Sequence, residues 1–277
     1  MNIAYLSTFY PFRGGIAQFN GLLYRALEKN HQMRAFTFKR QYPDLLFPGE
    51  TQYVQPSDQV DSIPSYEVLD TINPLTYHQT VRRIQAFNPD LLIMKYWMTF
   101  FAPSLGYVAK KIKKRAKVIT ILDNVIPHER GIFDKPLTRF FLKQNSGFVT
   151  MSGRVEQDLL ELLPRARYIR KMHPIYDHFG SSIDQQKARK ALGLPPDKKV
   201  LLFFGFIRDY KGLDLLLKAF DTLSNDYHLV IAGESYGSFE RYQQLIDHST
   251  HKEHIHPYIE YICDDRVPYF FSASDLC

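Results

Sequence analysis

The sequence predicts an α/β protein with doubly wound parallel sheets in two successive domains, and three observations carry that reading. Short, almost uninterrupted apolar runs alternate with helical patterns, as strands buried on both faces between covering helices require. The alternation pauses at His178-Phe179-Gly180-Ser181-Ser182 and again at Pro195-Pro196, then restarts, dividing the chain into residues 1–177 and 178–277. The 277 residues, 45% of them apolar and 23% charged, suffice to bury an ordinary core.

In the first half, the β-rich runs are 3–7, 34–38, 91–95, 118–122, 147–151 and 168–172. Apolar residues at helical spacing place helices over 16–29, 76–87, 104–115 and 154–162, the last capped by Ser152. Residues 41–74 have no clear period and carry Pro43, Pro48, Pro56, Pro64 and Pro74, which suits a long surface excursion able to shape an acceptor site. In the second half, strands are expected at 200–204, 228–232 and 259–263. Helices are expected at 213–223, 242–248 and 267–272, and Asp275-Leu276-Cys277 reads as the opening of one more strand.

Composition narrows the function classes. Thirty-five Lys and Arg against 29 Asp and Glu give a net charge of +6, which favours an anionic partner. The basic residues form no aromatic-interleaved reading motif, so no nucleic-acid partner is expected. Two cysteines, Cys263 and Cys277, supply neither a disulfide framework nor a zinc site. A reducing cytoplasm fits. No apolar run approaches the roughly 20 residues of a membrane span, and Met1 leads into Ile3-Ala4-Tyr5-Leu6 without a signal sequence. Lys110, Lys111, Lys113, Lys114, Arg115 and Lys117 crowd the end of a helix whose apolar residues recur at helical spacing. They are either a solvated face or a dock for an anionic membrane surface on the cytoplasmic side. The nucleotide-fold, phosphate-loop, zinc-protease and serine-hydrolase motifs are all missing.

Three segments could carry chemistry. Gly14-Gly15 follows the first strand and opens a helix, where glycine lets backbone approach a ligand and the helix terminus favours an anion. Alone, it also reads as an ordinary βα turn. The run from Phe204 to Leu216 is a buried strand, a turn holding Arg208 and Lys211, and a helix. The two cations stand at the carboxyl end of a parallel strand and suit a diphosphate. Thr120 to Glu129 follows another strand and brings Asp123, His128 and Glu129.

These segments resemble the family-4 retaining glycosyltransferases. Gly205 to Gly212 is similar to the family's Gly-x-x-x-x-x-Lys-Gly signature, whose Arg and Lys hold the donor's diphosphate. Here Phe206 directly follows the glycine, where much of the family has Arg, and Arg208 comes two residues later on the same face of an extended strand. Asp123 to Glu129 resembles the family's His-Asn-Val-x-Pro-His-Glu stretch beside the donor sugar, with Asp123 in place of the first His. An aspartate can accept a sugar hydroxyl's hydrogen bond or stabilise positive charge, which is not equivalent to imidazole. His128 and Glu129 either share this site or tie down the loop. Gly233-Glu234 resembles the family's turn near the nucleotide, and is otherwise a plain turn. His173 to Asp177 looks like the hinge segment, whose polar groups either face the cleft or, the favoured reading, brace the domain junction.

The resemblance implies two facing Rossmann-like domains (GT-B), the first on the acceptor side and the second binding the donor nucleotide. It implies transfer of a sugar from a nucleotide-diphosphate donor to the hydroxyl of a glycan or lipid-linked acceptor, with retention, with no metal and with no cofactor beyond the donor. Asp123 and His128 would be catalytic, and Gly14, Gly15, Arg208, Lys211, Gly233 and Glu234 would bind the donor. The family's glutamate pair belongs beyond the strand opening near Asp275, so an incomplete second domain, inactive alone, is expected. The alternative is a noncatalytic phosphosugar- or lipid-binding module.

Overall fold

The computed structural model describes residues 1–43, 51–54, 61–126, 133–175 and 179–277. The chain divides into two compact units, one built mostly from residues up to Ile175 and one from the described residues beyond it.

In the first unit, the strands are β1 (Asn2–Leu6), β2 (Gln32–Arg40), β3 (Ser65–Asp70), β4 (Leu91–Tyr96), β5 (Lys117–Leu122), β6 (Gly147–Thr150) and β7 (Tyr168–Arg170). The helices are α1 (Gly15–Glu28), α2 (Pro74–Ala86), α3 (Ala102–Ile112), α4 (Asp134–Leu142) and α5 (Gly153–Leu162). All seven strands are parallel, in the order β3-β2-β1-β4-β5-β6-β7. The winding direction reverses between β1 and β4. At such a switch point the loops at the strands' carboxyl ends diverge and leave a crevice for a ligand.

Local signals explain most of these elements. Ile3, Ala4, Tyr5 and Leu6 are all almost completely buried, so β1 lacks the alternation of a one-faced strand. Asn73 caps α2 through Leu75, with Pro74 inside the helix start, and Ser152 caps α5 through Val155 as expected. Two expectations need correction. The 41–74 excursion contains β3, which a period search missed because only Val68, Leu69 and Asp70 are buried. The basic helix ends at Ile112 rather than Arg115, because Lys113 donates to the Lys143 and Asn145 carbonyls and the chain turns there. Helix α4 was also unforeseen.

The second unit contains α6 (Gln185–Ala191), β8 (Lys199–Phe204), α7 (Leu213–Phe220), β9 (Tyr227–Ala232), α8 (Glu240–His248), β10 (Ile255–Tyr258) and α9 (Val267–Ala273). Its parallel sheet runs β10-β9-β8, and Leu276 bridges in parallel to Leu201 on the far side of β8, where an opening strand was expected. One apolar cluster joins the sheet to α6 and α9, and a second joins its other face to α7 and α8. Helix α6, capped by Asp184 through Lys187, was not anticipated. The expected strand at 259–263 lies earlier, at Ile255–Tyr258. It accommodates Pro257 because β10 is an edge of the described sheet, where proline is tolerated.

An imidazole stack occupies one face of this sheet. His228 shares a 2.9 Å hydrogen bond with His256, and its ring centroid lies 4.6 Å from that of His254. Burial, then the neighbouring His256, His254 and Lys198, push the His228 imidazole down to about 4, and burial lowers His256 as well. The folded unit therefore binds fewer protons than the unfolded chain below the ordinary histidine range. Its stability is complete above about pH 6.5 and declines as pH falls toward 4. Denaturant melts should show a loss of about 2 kcal/mol across that window, and His228→Phe should flatten it. An unchanged acid slope in the variant would remove His228 as the cause.

Candidate functional site

In the first unit the candidate residues gather at the carboxyl edge of the sheet, around its switch point. After β1 the chain enters α1 through Gly14, whose φ of 99° is open to glycine and strained for other residues. The N-cap residue is itself a glycine with no side chain to offer, and the first turn holds no acid. The approach loop is tied down by Asn20, which is fully buried. Its amide donates to Ser7 Oγ at 2.9 Å and to the Thr8 carbonyl at 2.8 Å, and its Oδ1 accepts from Tyr5 at 2.6 Å.

Asp123 follows β5, one strand beyond β4. Its Oδ1 lies 2.8 Å from Lys95 Nζ, and that ammonium sits 3.5 Å from the ring centroid of Phe19 on α1. Lys95 is only 2% exposed, whereas a fifth of the Asp123 side chain is open. Burial pushes the Asp123 carboxyl above its ordinary value, opposed by Lys95 and by the nearby His173; burial also lowers the Lys95 ammonium, opposed by Asp123. Burial, with the Asp123 charge second, raises Tyr5 well above the phenol range. His173 packs its ring 5.4 Å from that of Phe19. Lys95 is thus a member of this group that sequence reasoning missed, because it sits inside an apolar strand where nothing marks it as paired, whereas the sequence names His173 as either facing the cleft or bracing the junction. His128 and Glu129 lie outside the described residues.

In the second unit, β8 ends at Phe204 and the chain turns at Gly205, φ 96°. The strand does not continue to Arg208, as alternation from Phe206 suggested. Ile207 instead makes a separate bridge to Ser235, and Arg208 begins the short helical turn Asp209–Lys211. The Arg208 guanidinium stacks 4.4 Å from the Tyr236 ring centroid. Lys211 reaches back so that Nζ would lie 3.4 Å from a Cβ placed on Gly205. The acid of the turn, Asp209, is taken by Arg241 at 3.0 Å and by the Tyr242 hydroxyl. Neither Arg208 nor Lys211 forms an ion pair with a described residue. Burial, then the charge of Arg208, lowers the Lys211 ammonium. Two adjacent cations that pair with no described acid can take an anion.

Gly233 ends β9 with φ 147°, and a Cβ there would lie 2.3 Å from the Gly205 carbonyl oxygen, so the two turns meet backbone to backbone. A pocket of about 90 Å³ opens between them, lined by Phe204, Gly205, Phe206, Gly233, Glu234, Tyr261 and Ile262. The structure thereby brings Gly233 and Glu234 to the turn that carries Lys211. Tyr261 and Ile262 escaped the sequence reading because they were assigned to a strand.

Comparison with known proteins gives the C-terminal unit its kinship. Residues 184–277 match the family model described as glycosyl transferases group 1. No curated protein matches the sequence significantly. Among solved structures, Anabaena Alr3699/HepE in complex with UDP is 15% identical, with a TM-score of 0.73 over all of this chain and 73% of that one. Sucrose-phosphate synthase from Thermosynechococcus elongatus is 14% identical, with a TM-score of 0.70 over all of this chain and 75% of that one. UDP-GlcNAc 2-epimerase from Neisseria meningitidis, bound to UDP-GlcNAc, is 13% identical, with a TM-score of 0.62 over 99% of this chain and 76% of that one. These likenesses establish the GT-B class of fold, which transferases and an epimerase share. The group 1 match is what points to sugar transfer.

Proposed function

We propose that this chain is a glycosyltransferase that takes a sugar from a nucleoside-diphosphate donor and passes it, with retention, to a hydroxyl of a glycan or lipid-linked acceptor in polysaccharide synthesis. The observation that carries the reading is the uncompensated cation pair Arg208 and Lys211, standing on a glycine turn at the end of a parallel strand within the segment that matches the group 1 model. Such a pair would neutralise the charge that grows on the leaving diphosphate as the glycosidic bond breaks. That HepE and the epimerase are seen with UDP or a UDP-sugar makes uridine nucleotides the first donors to try.

Asp123 is assigned to the transferred sugar. An ionised carboxylate there would hold a sugar hydroxyl or stabilise the positive charge of an oxocarbenium-like transition state. Asp123→Ala should therefore lower turnover more than it raises the KM for the donor, and an effect confined to KM would make Asp123 a ground-state contact instead. Incubating the chain with UDP-sugars and candidate acceptors, and reading the anomeric configuration of the product by NMR, tests the reaction as a whole. Failure to bind any nucleoside diphosphate would remove the sugar-transfer reading.

A cytoplasmic membrane surface is the proposed place of work. Among the described residues no helix is long and apolar enough to cross a membrane. Lys110, Lys111, Lys113, Lys114, Arg115 and Lys117 are all exposed at the end of α3, and none forms an ion pair with a described acid. Vesicles containing phosphatidylserine should bind the chain several-fold more weakly once Lys110 and Lys114 are changed to Glu, and binding should fall as salt rises. Equal binding to neutral vesicles would leave these lysines as a solvated face.

A further inference from the structure

We propose that Lys95 is a positioning residue for Asp123: its ammonium, pinned between one carboxylate oxygen and the face of Phe19, holds that carboxylate so that the other oxygen is presented to a hydroxyl of the donor sugar. The inference rests on the assignment of Asp123 to the sugar, and its test is chosen to separate the two.

The location comes first. Lys95 lies at the end of β4 and Asp123 just after β5, and β4 borders the switch point across which β1 leads into α1. Parallel sheets of this winding receive ligands at that edge. A pair serving stability alone gains little from its charges, because apolar residues of similar size do as well or better in a buried position. Lysine is also among the residues least often fully buried, yet Lys95 is 2% exposed.

The geometry then divides the pair into an inner and an outer half. Nζ is 2.8 Å from Asp123 Oδ1 and 3.5 Å from the Phe19 centroid, so the aromatic face supplies part of the solvation that burial removes. Asp123 keeps a fifth of its side chain exposed while its inner oxygen is engaged. The other groups facing it are consistent with a held anion. His173 is close enough for its charge to favour the ionised carboxylate, and the Tyr5 hydroxyl is committed to Asn20. Without Lys95, a buried carboxylate would lose its main counter-charge and take up a proton at higher pH than in the wild type.

The test uses the full chain with UDP and UDP-glucose as probes. Carbon-13 NMR of the Asp123 carboxyl should show its titration midpoint about 1–3 pH units higher in Lys95→Met than in the wild type. Calorimetry should show the affinity gained from the sugar, UDP-glucose over UDP, falling roughly tenfold at pH 7 in Lys95→Met and returning at pH 9, when the carboxyl ionises again. A structural role would not tie the loss to pH. Lys95→Arg keeps the charge but changes its reach, so it should leave the midpoint within about half a unit and still weaken the sugar-dependent gain. It carries the test should Lys95→Met fail to fold, with the Lys95→Met/Asp123→Asn double variant as the folding control.

If the midpoint and the sugar-dependent gain are both unchanged in the folded Lys95 variants while Asp123→Asn loses the gain, Lys95 has no part and the proposal is overturned, though Asp123 keeps its role. A wild type that binds UDP-glucose no better than UDP, or an Asp123→Asn variant that keeps the gain, removes the sugar contact and the proposal with it. That outcome leaves the diphosphate assignment of Lys211 untouched.

Discussion

Lys211→Ala should weaken UDP binding by roughly 10- to 150-fold, the equivalent of about 1.5–3 kcal/mol for a charge-assisted contact to phosphate. The magnitude is large because Lys211 pairs with no described acid and stands beside the like charge of Arg208, so an anion relieves an unbalanced pair of cations. Arg208→Ala should weaken binding as well, since its guanidinium is only partly exposed and is steadied by stacking on Tyr236. The pH dependence has a definite sign. Burial and Arg208 hold the free Lys211 ammonium below its ordinary value, and a bound diphosphate would raise it. Binding therefore takes up a proton at alkaline pH, and affinity should fall as pH rises through the free value. In Lys211→Ala that alkaline decline should disappear. Wild-type affinity in Lys211→Ala would take the diphosphate away from this turn, and with it the strongest structural argument for sugar transfer.

Gly233→Ala should destabilise the C-terminal unit by about 2–5 kcal/mol, enough to lower its melting temperature by roughly 10 °C or more. Two penalties act together. At φ 147° a side chain is strained whatever the space, and the added Cβ would meet the Gly205 carbonyl oxygen at 2.3 Å. Neither contact is with a flexible side-chain end that could move aside. Relief requires the two turns to part, which would deform the pocket that Gly205, Gly233 and Glu234 line and so weaken nucleotide binding as well. Gly180→Ala offers a comparison, because its φ is 88° but nothing lies within 4 Å of the added atom. Only the conformational part of the cost, about 1–2 kcal/mol, should appear there. A Gly233→Ala chain that melts within about 2 °C of wild type would show that the turns are not locked together.

The sequence by itself determined the α/β class, most strands of both sheets and the restart that begins a second unit, because these depend on periodicity and on where glycine and proline interrupt it. It also singled out Arg208 and Lys211, since two cations between a buried strand and an amphipathic helix are a local pattern. Elements with weak local signals were decided elsewhere. β3 is half exposed, β10 contains Pro257, and α4 and α6 are short, so each owes its form to what it packs against.

Only the tertiary structure decided the company these residues keep. Lys95 and Asp123 are separated by 27 intervening positions and meet because parallel strands in adjacent register carry both to one edge of the sheet. His173 reaches Phe19 only after the chain has completed β7, and Gly233 acquires its meaning from the Gly205 carbonyl on the neighbouring strand. A periodic pattern reports which way a residue faces, but not what stands opposite. The charges, clashes and counter-ions that make a site are non-local contacts, and they exist only once the strands are side by side.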